Sequence, residues 1–212
     1  MMRQRRPIAD SDWRNGFLFV GNHLALDFLN TRPVLNGEPT ELLPDFSALL
    51  RWCQAAGLLS SPEMANLQRQ SGESTAARRT LEALREFREK LRNEILAWED
   101  GADVHRATIA ELNQLLAAHP MLSKLQTTGN EHSVEVWFEP RQPEDLFAPL
   151  AHSVAKLFAE KDRDRVRKCG HCVLHFYDTS KKGTRRWCSM QLCGNRLKVA
   201  AYAARHRLAN KG

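Results

Sequence analysis

Four of the five cysteines fall in one short basic stretch, and their spacing is the strongest chemical signal in the chain. Two residues separate Cys169 from Cys172, four separate Cys188 from Cys193, and fifteen lie between the pairs. A two-residue spacing lets one tight turn aim both sulfurs at a single ion. Four thiolates complete the tetrahedral shell of Zn2+, an ion that favours soft ligands and has no redox chemistry of its own. A closed set of this kind leaves no open coordination position. The expected metal is therefore one structural zinc, whose binding energy folds its module. Other uses of the cysteines fit less well. An odd number of cysteines with no export signal argues against a disulfide framework. A redox C-x-x-C belongs in a thioredoxin-type strand and helix setting, and iron–sulfur clusters use other spacings. His171, His175 and His206 are the alternative ligands nearest to hand. Cys53, in the apolar run FSALLRWCQAAGLL, reads as a small buried thiol.

The charge of the chain is divided. From Lys161 onward there are fourteen Lys or Arg against three Asp or Glu, a net +11, while the preceding residues carry a net −5. Such a split points to a polyanionic partner for the basic end. Four thiolates and one Zn2+ lower that end to about +9.

The elements that must position the cysteines follow from periodicity. Residues 17–33 read as a short strand or turn and then a helix ended by Pro33, and VLNGEPTELLP reads as a loop. Asp45 caps a helix running to Gly57, and Pro62 sits in the first turn of the next. The longest helix spans about 74–100, with Leu81, Leu84, Phe87, Leu91, Ile95 and Trp98 on its apolar stripe. Asp103 is the expected cap of a helix over 104–118. SKLQTT and HSVEVWFE read as a β-hairpin, and Leu146, Leu150, Val154, Leu157 and Phe158 face inward from a further helix. The expected organisation is a flexible arm at 1–14, a helical domain with one small hairpin at 15–162, and a zinc module at 163–212. That module is too small to bury a core unaided. The fold class is mainly α with a small treble-clef-like end. A knuckle holds the first cysteine pair, LHFYD and RRWC form a hairpin turning at SKKG, and a helix carries Cys193.

The stretch Asp178-Thr179-Ser180, the run Arg186-Trp187-Cys188-Ser189-Met190 and the tetrad Cys193-Gly194-Asn195-Arg196 resemble the CGNR zinc-finger family. Proteins of that family carry the finger after a helical ABATE domain with a motif like G-N-x-x-L-D-F-x-N-T. This chain has Gly21-Asn22-His23-Leu24-Ala25-Leu26-Asp27-Phe28-Leu29-Asn30-Thr31. The first cysteine pair is spaced more closely than is usual in the family, which alters the knuckle and keeps the ligands. The resemblance covers nearly the whole chain and implies a bacterial transcription regulator with a zinc-bound DNA-binding end.

On this reading the basic module neutralises phosphates through Lys181, Lys182, Arg185, Arg186, Arg196, Lys198, Arg205 and Arg207. Its arginines and Asn195 can also read base edges. Arg196 has a second use, hydrogen bonding within the metal site. Trp187 and Phe176 read as module core, and Asp178 as a turn former. Asn22, Asp27, Asn30 and Arg32 either line a pocket for a small-molecule effector or form buried hydrogen bonds that hold their own motif in place. The expected function is a cytoplasmic zinc-containing DNA-binding regulator whose helical domain senses a ligand or mediates oligomers, a homodimer among them. The alternative is an RNA- or protein-binding module whose docking surface the zinc shapes. No phosphate-cradling glycine loop, nucleophile elbow or H-E-x-x-H motif occurs, so no enzyme is expected. No apolar run is long enough for a membrane span.

Overall fold

The computed structural model describes residues 12–35, 37–129 and 131–194. In chain order it runs β1 (Trp13–Arg14), β2 (Phe17–Leu18), α1 (Leu24–Leu29), β3 (Val34–Leu35), β4 (Glu38–Pro39), α2 (Phe46–Ala55), α3 (Ser61–Ser71) and α4 (Thr75–Glu99). There follow α5 (Arg106–Ala118), β5 (Leu122–Thr128), β6 (Glu131–Trp137), α6 (Phe147–Glu160), β7 (Val166–Lys168) and β8 (His175–Tyr177). Each strand pairs antiparallel with its neighbour, giving four separate two-stranded ribbons among the described residues.

The mainly helical class is as expected. Local chemistry sets the helix ends. Asp45 accepts the Ala48 N–H at 2.7 Å to open α2, and Gly57, at φ +77°, supplies the left-handed residue that stops it. Ser60 and Glu63 form a reciprocal capping box on α3. The predicted stripe of α4, from Leu81 to Trp98, is buried. It packs with α1, α2 and α6 into the main core around Phe28, Trp52, Leu84 and Leu150. α1 is almost wholly buried at the centre. The Ser153 hydroxyl on α6 takes the Ala25 N–H of its first turn at 3.0 Å.

Three local expectations are corrected. Asp103 does not cap α5. Glu94 of α4 does so from across the interface, accepting the His105 N–H and the Thr108 hydroxyl, both at 2.7 Å. A carboxylate already held on the long helix satisfies the donors of α5, and the chain at Asp103 runs past. VLNGEPTELLP, expected as a loop, contains the short ribbon β3–β4. Residues 12–14, expected as the end of a flexible arm, lead into and form β1. There Asn15 and Gly16, at φ +50° and +82°, make the mirror-image turn that suits the twist of a two-residue hairpin.

The predicted hairpin over SKLQTT and HSVEVWFE is β5–β6, with Leu125 opposite Val134. Among the described residues no helix is long and apolar enough to cross a membrane.

Candidate metal centre

The first cysteine pair sits in the turn between β7 and β8. Val166 pairs with Tyr177, Arg167 with Phe176 and Lys168 with His175. The Cys169 N–H then closes the knuckle on the Leu174 carbonyl at 2.8 Å. This differs from the predicted hairpin between the cysteine pairs: LHFYD does supply β8, but its partner is β7, and RRWC is not a strand. Asp178 is the physical reason. Fully buried, it accepts the Ser180 N–H at 2.8 Å on one oxygen and the Arg185 N–H at 2.7 Å on the other. Those bonds curl residues 178–185 around the carboxylate. Burial works against its ionisation, but the bonds to Ser180 and Arg185 and the charge of Arg167 outweigh burial and hold its pKa below the ordinary value. Arg165 closes the same loop from outside, donating to the carbonyls of Asp178 and Ser180. Gly183 makes the SKKG turn at φ +60°.

The second pair is set by Ser189. Its hydroxyl accepts the N–H groups of Gln191 and Leu192, and its carbonyl accepts those of Cys193 and Gly194. This turns the chain at once into a wide helical turn over Met190–Gly194, which brings Cys193 back beside Cys188. No pattern in the sequence distinguishes Ser189 as this cap except its place between a ligand and a helical run.

The four sulfurs converge. All lie within 4.8 Å of one another, with Cys172 to Cys188 at 3.7 Å and Cys188 to Cys193 at 3.6 Å. Tetrahedral zinc with bonds of about 2.3 Å places its sulfurs about 3.8 Å apart, so the donor set fits the ion. The chemistry of the donors suits a cation as well. The Cys188 pKa is pushed up by hydrogen bonding to the neighbouring thiols of Cys169 and Cys172 and by burial. That of Cys193 is pushed up to about 12 by burial and then by repulsion from Cys172. Four thiolates so close are stable only around a divalent ion, which reverses that balance. Zinc here supplies cross-linking of the knuckle to the final turn. Three of the ligands are buried and Cys172 is half-buried. Cys53 lies apart in the main core, and burial raises its pKa well above the ordinary thiol value.

The module's core is shared with the start of the chain. Leu18 and Val20 pack with Leu174, Phe176 and three of the ligands, with Trp13 and Trp187 at the margin. The Ser189 hydroxyl also donates to the Asp12 carboxylate. A segment too small for its own core thus draws on the metal and on the β1–β2 ribbon together.

The glycine–asparagine motif is the other half of this seam. Gly21 lies so close under α1 that a Cβ would stand 2.8 Å from the Asp27 nitrogen, and its N–H donates to the Asp27 carboxylate at 2.8 Å. The Gly21 carbonyl accepts the Tyr177 N–H at 2.8 Å, and the Asn22 amide donates to the Tyr177 carbonyl at 2.9 Å. The Asn30 side chain exchanges two bonds with the His175 backbone. Thr31 accepts a bond from Arg88, and Arg32 pairs with Glu89 at 3.4 Å on the surface. Of the four residues weighed as a pocket, Asn22 and Asn30 hold the zinc module, Asp27 holds the motif, and Arg32 stands apart.

The expected cations divide as well. Lys181, Lys182 and Arg186 are exposed. Arg185 is folded inward: its Nε donates to the Trp187 carbonyl at 2.7 Å, another nitrogen donates to the Cys188 carbonyl, and its guanidinium lies 4.5 Å over the Phe176 ring. Arg196, Lys198, Arg205 and Arg207 lie outside the described residues, as does His206. His171 is exposed and His175 faces Glu99, so neither joins the sulfur cluster.

A helical domain clasped to a closed four-cysteine centre defines a zinc-finger protein. Residues 22–161 match the ABATE family, described as "Putative stress-induced transcription regulator", and residues 165–206 match the CGNR zinc finger. The chain belongs to the ABATE family and carries a CGNR finger at its basic end. No curated protein matches it.

Proposed function

We propose that the protein is a DNA-binding transcription regulator, working in the cytoplasm, in which the zinc module presents cations to duplex DNA. The helical domain would sense a ligand or join copies of the chain, and we assign it no catalytic step. The observation that carries this reading is the coincidence of the closed zinc centre with the net +11 of the last fifty-two residues, where Lys181, Lys182 and Arg186 are exposed. Clustered cations of this kind favour a polyanion through counterion release, a term that is independent of sequence and falls steeply with salt. The family description, which names a transcription regulator, supports DNA over other polyanions.

The test is an electrophoretic shift of mixed-sequence duplex DNA by the zinc-loaded protein, repeated after chelation and with single-stranded RNA at equal salt. A salt-sensitive shift that chelation removes is the expected result. No shift at low salt sinks the reading, and a clear preference for RNA replaces DNA by RNA as the partner.

A further inference from the structure

A polar cleft of about 550 Å³ opens between the end of α4 and the zinc module. Five of its lining side chains are cations, against the two carboxylates of Glu99 and Asp164. We propose that this cleft grips the phosphate backbone of the nucleic acid, with Arg163, Arg167, Lys168 and Arg186 as the phosphate ligands. The proposal rests on the DNA-binding reading above and assigns its principal contact to the seam between the modules.

The argument turns on how these charges are balanced. In the helical domain, buried or half-buried arginines are matched to carboxylates: Arg88 to Glu41 and Glu89, Arg92 to Glu89. In the cleft they are held by carbonyl groups. Arg163 donates to the Gly101 carbonyl at 3.2 Å and Arg167 to the Asp164 carbonyl at 3.1 Å. A carbonyl orients a guanidinium without cancelling its charge. Lys168 and Arg186 are exposed, and the Arg186 guanidinium lies 5.5 Å over the Trp187 ring, which braces it. Glu99 makes no close ion pair with these cations among the described residues, and its Oε2 stands 3.6 Å from His175 Nε2.

Five cations against the two lining carboxylates, with Asp178 as a further carboxylate near Arg167, leave the cleft with a surplus of positive charge that favours an anion. Oriented guanidiniums meet phosphate oxygens in a bidentate fork geometry. Arg185, the fifth cation, is tied to the carbonyls of Trp187 and Cys188, so it supports the wall of the cleft. Zinc enters the proposal through position alone, since Arg167 and Lys168 lead into Cys169, and Arg186 lies two residues before Cys188.

The test compares the full-length, zinc-loaded protein with K168E/R186E and, as a control, with K181E/K182E at the tip of the loop. Binding to a short mixed-sequence duplex is followed by fluorescence anisotropy across a salt series. Zinc content and the thermal midpoint verify that each variant is folded, and K168Q/R186Q stands in if charge reversal disturbs either. The expected result is a loss of affinity of about tenfold or more for K168E/R186E, with the salt slope reduced by about two. K181E/K182E should lose less. If wild type binds and K168E/R186E binds equally well with the same slope, the cleft is not the phosphate site and the DNA reading survives. If wild type binds no duplex, both fall.

Discussion

Asn30 and His175, 145 positions apart, are joined by two reciprocal hydrogen bonds: the Asn30 amide donates to the His175 carbonyl at 2.8 Å, and its oxygen accepts the His175 N–H at 2.9 Å. The side-chain amide thus stands in for a neighbouring peptide. Two residues along, Tyr177 receives the same treatment from Gly21 and Asn22. One edge of β8 pairs with β7, and the other is completed by the helical domain. An edge that would otherwise expose unpaired groups becomes the joint between the modules.

Replacing Asn30 by Ala leaves a buried N–H and a buried carbonyl without partners. At about 1–3 kcal/mol for each unsatisfied group, softened by relaxation, N30A should lose about 2–4 kcal/mol. Urea unfolding measures this. Release of zinc to a coloured chelator should also become faster, because the clasp holds β8, the strand that closes the knuckle carrying Cys169 and Cys172. Unchanged stability together with unchanged release would mean that the clasp is incidental.

Glu41 offers a pH-dependent counterpart. Burial works against its ionisation, but the hydrogen bond from Arg88, the Leu43 N–H and the charges of Arg88 and Arg85 outweigh burial and lower its pKa from 4.5. Arg88 itself is 1% exposed. A lowered folded pKa stabilises the protein fully above the unfolded value, and that stability is lost as pH falls through the folded value. E41Q should therefore be less stable than wild type by about 1–3 kcal/mol at neutral pH, Glu89 remaining as a second partner for Arg88. The difference should hold down to about pH 4.5 and shrink below it. A gap that widened in acid would contradict the assignment.

Most helices were legible because they are written locally, as the stripe of α4, the Asp45 cap and Pro62 in the first turn of α3 show. So were the four ligands, since zinc geometry restricts the spacing of cysteines. What sequence order concealed was action at a distance. Glu94 caps a helix whose first residues lie eleven positions on, and Leu18 and Val20 complete a core with Leu174 and Phe176. Asn22 and Asn30 read as holders of their own motif ahead of pocket lining, but the strand they hold, β8, lies far along the chain and no local pattern points to it. Arg185 and Arg186 look alike in the sequence, and the difference is which of them finds backbone carbonyls within reach.

Removal of the metal should act locally first. The main core of α1, α2, α4 and α6 contains none of the four ligands. Chelation should release one zinc per chain and open the cluster around Leu18, Val20 and Phe176, changing the fluorescence of the neighbouring Trp13 and Trp187. Most helical circular dichroism should survive. C188S should show the same pattern without a chelator, given that structural zinc contributes on the order of 10–16 kcal/mol to folding its module. Full-length protein that is freshly reduced and contains no zinc would overturn the metal centre.

Arg185 and the lysine pair at 181 and 182 should separate stability from binding. The Arg185 guanidinium ties the carbonyls of Trp187 and Cys188 and covers Phe176, so it braces the chain beside a ligand. R185A should lower stability by about 1–3 kcal/mol and weaken zinc retention. Lys181 and Lys182 project from the exposed tip of the loop held by Asp178. K181A/K182A should stay within about 0.5 kcal/mol of wild type in unfolding experiments. On the proposed reading it should still bind DNA more weakly, with a salt slope smaller by at most about two. If R185A kept full stability and zinc but lost DNA affinity, Arg185 would be a contact residue, and the inward placement of its side chain would not describe the protein in solution.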